Sequence, residues 1–112
     1  MKYAAVLLVT LATATAGVAS ASSRVTDMDY LRANRCKGLA EGLGGADTAS
    51  LDAMLRAEGR TRADAVVQRA SEELTRGKRE AAKSDLKDRL TAELNGPCMA
   101  YLSGGKDAAG GH

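Results

Sequence analysis

Cys36 and Cys98, 62 positions apart, are the residues whose chemistry matters most in this chain. In a reducing compartment they remain thiols, whereas in an oxidising one two cysteines of a small domain pair. A reactive thiol needs a neighbour that lowers its pKa, such as a second cysteine in C-x-x-C or a nearby histidine. The sequence has no C-x-x-C, and its one histidine, His112, is the last residue. A metal ligand needs companions held at fixed distances, and His112 has none, so neither a metal nor any other cofactor is expected. Gly42-Leu43-Gly44-Gly45 is rich in glycine, but it follows no strand and precedes no lysine-bearing phosphate helix. It therefore reads as a helix terminator.

The carboxylates offer acid–base chemistry only if buried with perturbed pKa values. Glu72, Glu73, Asp85 and Asp88 instead alternate with basic residues. Glu72–Arg76, Arg69–Glu73, Arg76–Glu80 and Asp85–Arg89 are all i,i+4 pairs, the pattern of a solvated helix surface. No enzymatic activity is expected. The most suggestive surface feature is the series Arg76, Arg79, Lys83 and Lys87, spaced three, four and four, which lines four cations along one side of a helix. Such a side can meet an anionic lipid headgroup, a cell-wall polymer or an acidic partner protein. Leu90 lies on the same side, so the alternative is that the stems cover apolar surface while the charges reach water.

The compartment is set by the N-terminus. Met1-Lys2 is followed by an apolar stretch, with Ala19-Ser20-Ala21 behind it. That is a basic start, an apolar segment and a small-residue cleavage site, the layout of a signal peptide over residues 1–21 with a mature chain from Ser22. Tyr3 to Val18 gives sixteen residues interrupted by three threonines, short of the ~20 needed to span a bilayer. No transmembrane segment is expected after processing, and the protein is expected in the periplasm or the medium. There Cys36 and Cys98 should pair, closing a loop worth roughly 4 kcal/mol in the chain-entropy picture.

With 112 residues the chain holds one domain at most. Removing Lys2 leaves fifteen basic and fourteen acidic side chains, and Trp and Phe are absent throughout. A nucleic-acid binder shows a strong basic excess or stacking aromatics, so that class is excluded. The core must come from Val25, Met28, Leu31, Leu39, Leu43, Leu51, Met54, Leu55, Val66, Val67, Leu74, Leu86, Leu90, Leu94, Met99, Tyr101 and Leu102. This is a thin aliphatic supply that the disulfide must supplement.

The elements follow from caps and periodicity. Thr26 with Asp29 forms a T-x-x-D capping pattern, and Met28, Leu31, Cys36, Leu39 and Leu43 then share one stripe, which turns Cys36 inward. Gly42, Gly44 and Gly45 stop that helix. Asp47, Thr48 or Ser50 caps a short helix ending at Gly59. Thr61 with Asp64 repeats the T-x-x-D start, and good helix formers run from Arg62 to Leu94. Their apolar stripe changes phase near Gly77, which predicts a break or kink around Arg76-Gly77-Lys78. Asn95-Gly96-Pro97 ends the run, and Pro97 restarts a short helix through Met99, Tyr101 and Leu102. Residues 103–112 read as a disordered glycine-rich tail. No stretch alternates as a strand would. The expectation is an all-α domain over residues 22–102, a small three- to four-helix bundle closed by one disulfide.

Two segments, Cys36-Lys37-Gly38-Leu39-Ala40-Glu41-Gly42 and Gly96-Pro97-Cys98, resemble the cysteine-flanking segments of immunity proteins that neutralise secreted amidases. The general organisation is also similar to that of periplasmic acid-stress chaperones. The resemblance covers about ten residues and lacks aromatic positions, so it assigns no functional residue. Together with the excluded chemistries it implies a protein-binding module of the cell envelope: an inhibitor, immunity factor or chaperone. The alternative is an envelope-surface binder that uses Arg76, Arg79, Lys83 and Lys87.

Overall fold

The computed structural model describes residues 24–105. The expected leader over 1–21, its cleavage site, and residues 106–112 of the expected tail lie outside the described residues. The chain forms α1 (Asp27–Leu43), α2 (Ala49–Gly59), α3 (Asp64–Ala81), a 3-10 turn (Ser84–Leu86), α4 (Lys87–Asn95) and α5 (Met99–Leu102). Among the described residues there is no strand, and five α-helices stand where three or four were expected.

Helix α1 begins as the sequence predicts. The Asp29 N–H donates to Thr26 Oγ1 and the Thr26 N–H donates to Asp29 Oδ2, both at 3.0 Å, which satisfies two backbone donors that a helix start leaves open. The helix ends where Gly44 (φ 82°) and Gly45 (φ 87°) enter the left-handed region, closed to most side chains by a Cβ clash. Gly42 does not share in this. It lies inside the helix, and a Cβ built on it would come 2.5 Å from Ala81 Cβ of α3.

That contact belongs to the closest packing in the molecule. α1 and α3 run side by side in the same direction: Arg62, just before α3, bonds Asp27 at the start of α1, and Gly42 meets Ala81 at the far ends. A Cβ on Gly38 would sit 2.2 Å from the Leu74 carbonyl oxygen, and one on Gly77 would sit 2.8 Å from the Arg35 carbonyl oxygen. Only glycine lets the two backbones approach so closely. The expected break at Gly77 is therefore corrected: α3 is continuous through Gly77, and the chain leaves the helix only at Ala82 and Lys83, where Lys83 is extended (φ −89°, ψ 117°). The phase change in the apolar stripe marks a new helix, α4, and not a kink in α3.

The second T-x-x-D is also corrected. The Thr61 hydroxyl donates to the Glu58 carbonyl at 3.0 Å and so finishes α2, while α3 starts at Asp64 with Ala63 as an uncapping N-cap. α2 itself opens with the Ala49 N–H donating to Asp47 Oδ1 at 3.0 Å, and it ends at Gly59 as expected.

Leu39, Leu51, Leu90, Cys98 and Tyr101 are the largest fully buried side chains, packed with Ala33, Ala40, Ala70 and Ala81. At roughly 1.5–3 kcal/mol for each large apolar side chain buried, they are the main favourable term. Met28, Val67 and Met99, assigned to the core from periodicity, are instead exposed at 55%, 37% and 52%. Tyr30 takes up part of the room, buried beneath the Arg62 guanidinium, whose carbon lies 5.5 Å from the ring centre. Arg62 also donates to Asp27, to Glu58 and to the Val25 carbonyl. Burial pulls its pKa down, but the hydrogen bonds to Asp27 and Glu58 outweigh that and the net direction is upward, so it stays charged. It thereby ties the α2–α3 connection to the start of α1.

Candidate functional site

Beside the α1–α3 contact, α4 and α5 are fastened to the rest of the chain by discrete bonds. Cys36 and Cys98 form the expected disulfide, with Cα atoms 5.6 Å apart. Arg35 donates through Nε and Nη2 to the two carboxylate oxygens of Glu93, at 2.8 and 3.0 Å. Its Nη2 also stands 3.0 Å from Glu80 Oε1. One α1 guanidinium thus joins α3 and α4. The Glu93 hydrogen bonds are the main reason its pKa rises further above an already high value, and a bidentate fork of this kind is among the stronger polar contacts. Tyr101 of α5 donates its hydroxyl to Asp29 Oδ1 at 2.9 Å, in a buried setting. The same carboxylate therefore caps α1 and anchors α5.

α5 is a single turn, too short to hold itself. The chain after it folds back, with Ser103 Oγ donating to the Ala100 carbonyl at 2.7 Å and the Gly104 N–H donating to the Tyr101 carbonyl. The beginning of the expected tail, residues 103–105, thus belongs to the folded body.

These fastenings leave an open groove of about 510 Å³. One wall is Leu43 with the 44–47 loop; the other is Lys87, Thr91, Leu94 and Asn95 of α4, and α5 contributes Met99 and Leu102. Its volume lies within the ~300–1,000 Å³ typical of ligand clefts, and like them it is mainly apolar with a few polar groups. Asp47 is already engaged at the start of α2. A second cavity, about 440 Å³, lies beside the disulfide and is lined in part by Arg35, Glu93 and Tyr101. There Arg35 and Glu93 bind each other and Tyr101 binds Asp29.

The cationic series is distributed differently from its sequence spacing. Arg76 pairs with Glu73 at 3.1 Å on α3, and Glu80, its expected i,i+4 partner, is taken by Arg35. Arg79 borders a shallow depression with Ser71, Glu72 and Thr75. Lys83 is in the extended link after α3, and Lys87 opens α4 and lines the groove. Because the helix breaks between them, the four cations do not line one continuous helix. Leu90 is fully buried in the core and gives the stems nothing to cover.

The groove is not legible in the sequence because it is a space between segments 40 or more residues apart, and Met99 and Leu102 read by periodicity as core. Among the described residues no cluster of three or more His, Cys, Asp or Glu is placed to hold a metal ion, and no helix is long and apolar enough to cross a membrane. No family model, no curated protein and no solved structure matches the chain.

Proposed function

We propose that this protein is an exported, non-enzymatic binding module that seats a segment of another protein in the groove between the α1–α2 loop and α4–α5, as an inhibitor, immunity factor or chaperone. The observation that carries this reading is the groove itself: an apolar trough with the half-exposed Met99 at its edge, on a wall held by the disulfide and by the Tyr101–Asp29 bond. Methionine is well suited to such a place, because its unbranched thioether adapts to differently shaped partners. Export is supported by the leader-like N-terminus and the disulfide together.

The test is site-specific photo-crosslinking in an envelope extract of the producing cell. A photoreactive residue at Met99 should give a discrete protein adduct, while one at the exposed Arg69 of α3 should not. Adducts from neither position, or the same adducts from both, would remove the groove from consideration.

The second reading, an anionic-surface binder, has its own support, since Arg79, Lys83 and Lys87 have no ion-pair partner among the described residues. Co-sedimentation with anionic vesicles should then fall steeply with salt and with the double charge reversal R79E/K83E. Binding indifferent to both would discard it.

A further inference from the structure

Four links join the five helices, and they differ in what they offer a protease. A serine protease whose S1 pocket carries a carboxylate cuts after lysine or arginine, and exposed connecting segments are where such cuts fall. The α1–α2 link, residues 44–48, and the α4–α5 link, Gly96 to Cys98, contain neither residue. The α2–α3 link has Arg60 and Arg62. Arg60 keeps helical backbone angles (φ −68°, ψ −20°), and Arg62 is tied to Asp27, Glu58 and the Val25 carbonyl. Every other basic residue from α1 to α5, Lys83 excepted, lies within a helix.

Lys83, in the α3–α4 link, is exposed and extended (φ −89°, ψ 117°), and it has no ion-pair partner among the described residues. Ala82, Ser84 and Asp85 around it are exposed as well. The backbone there is held by the Ala82 N–H donating to the Arg79 carbonyl at 3.3 Å, the Lys83 N–H to the Glu80 carbonyl at 3.0 Å and the Leu86 N–H to the Lys83 carbonyl at 3.1 Å. Bonds of this kind at a helix end open by local fraying, without loss of the core. We propose that the Lys83–Ser84 peptide bond is a processing site for a protease of this class, and that the product is a two-chain molecule.

Hydrolysis adds one water across the amide and leaves a carboxylate on Lys83 and an ammonium on Ser84. Because the cut falls between Cys36 and Cys98, the disulfide still joins the two pieces. The Arg35–Glu93 fork, the Tyr101–Asp29 bond and the buried Leu90 and Leu94 keep α4 and α5 seated. What changes is the coupling of α4 to α3. The new carboxylate stands at the C-terminal end of α3 and the new ammonium just before α4, each the wrong sign for its helix dipole, so the cut ends move apart and rejoining is disfavoured.

The experiment exposes the full oxidised protein to a trace of trypsin under native conditions and measures mass before and after reduction. Within residues 27–102, the first product should weigh as much as the intact chain plus one water, and reduction should split it into a piece ending at Lys83 and one starting at Ser84. Slow amide exchange at Leu90 and Leu94 should survive the cut. K83Q removes no contact of the fold and should slow the first internal cut about ten-fold. Protein recovered from the producing cell should show a second N-terminus at Ser84. A first internal cut after Arg60, Arg62 or a helical residue would overturn the site, as would K83Q cut as fast as the parent. Pieces that separate, or lose their exchange protection, before reduction would overturn the two-chain product, and complete absence of the Ser84 terminus from cell-derived protein would overturn processing.

Discussion

Along α1, Gly38, Gly42 and Gly77 let α3 come into backbone contact on one flank; elsewhere α4 and α5 are tied to the helix by the disulfide, the Arg35–Glu93 fork and the Tyr101–Asp29 bond. The first contact combines close backbone packing with ion pairs between the two helices, Arg35–Glu80 at 3.0 Å and Lys78–Glu41 at 3.5 Å. The second is held by a few strong local ties, and between those ties the packing is incomplete, so both larger cavities lie there. A small chain without large aromatics can thus be rigid on one side and keep a surface open on the other. The fastened side depends on two cysteines and a buried carboxylate, the packed side on missing Cβ atoms together with its ion pairs.

The largest test of this contrast is the double substitution C36A/C98A. Losing a 62-residue closure should lower unfolding free energy by roughly 4 kcal/mol, a large share of the ~5–15 kcal/mol available to a small domain. If the flanks differ as described, amide exchange at Met99–Leu102 accelerates first in the double variant, while the amides facing between α1 and α3 keep their protection until global unfolding. Equal loss on both flanks would show that the disulfide supports the molecule as a whole.

Close behind comes Gly38→Ala. One methyl group 2.2 Å from the Leu74 carbonyl oxygen meets backbone, which cannot rotate aside, and forcing the helices apart should cost about 3 kcal/mol. Denaturant titration measures it. The same change at Gly44 has open space around it but a φ of 82°, so a cost there reports local strain without moving α3. Should G38A prove as stable as the parent, the glycine contact would not be what seats α3 on α1.

What the sequence made legible divides along the same line. Local chemistry was readable: the Thr26–Asp29 capping box spans three residues, the end of α2 at Gly59 is one glycine, and the short helix after Pro97 follows from a ring that fixes φ. The pairing of Cys36 with Cys98 was readable because there was one possible pair. The meaning of Gly42 and Gly77 was not, since a glycine that stops a helix and one that admits a neighbouring backbone are the same letter, distinguished only by what lies opposite. Thr61 failed for a related reason, its hydroxyl having a nearer acceptor in the Glu58 carbonyl. Arg35 carried no signal at all, because its partners Glu80 and Glu93 are 45 and 58 positions away and resemble any other surface acid. The groove was out of reach for the same cause.

Tyr101→Phe is a smaller and more local probe of the fastened flank. The ring still fills its site, but Asp29 Oδ1 loses the Tyr101 hydroxyl at 2.9 Å, at about 0.5–1.5 kcal/mol for one intramolecular hydrogen bond. Because Asp29 keeps its cap on α1 through Oδ2, the helix start should persist while α5 loosens, visible as faster exchange at residues 99–102 than at 29–33.

The smallest expected effect sharpens the contrast from outside. Met28 belongs to the apolar stripe by spacing yet is 55% exposed, so Met28→Gln should change stability by no more than about 0.5 kcal/mol, whereas Leu39→Ala, fully buried between the two flanks, should cost about 2–5 kcal/mol. Periodicity ranks the two positions equally, and only the approach of α3 and α5 to α1 separates them. A Met28→Gln variant destabilised by as much as 2 kcal/mol would mean that the start of α1 is covered in solution, and the open surface of the molecule would then have to be redrawn around that covered position.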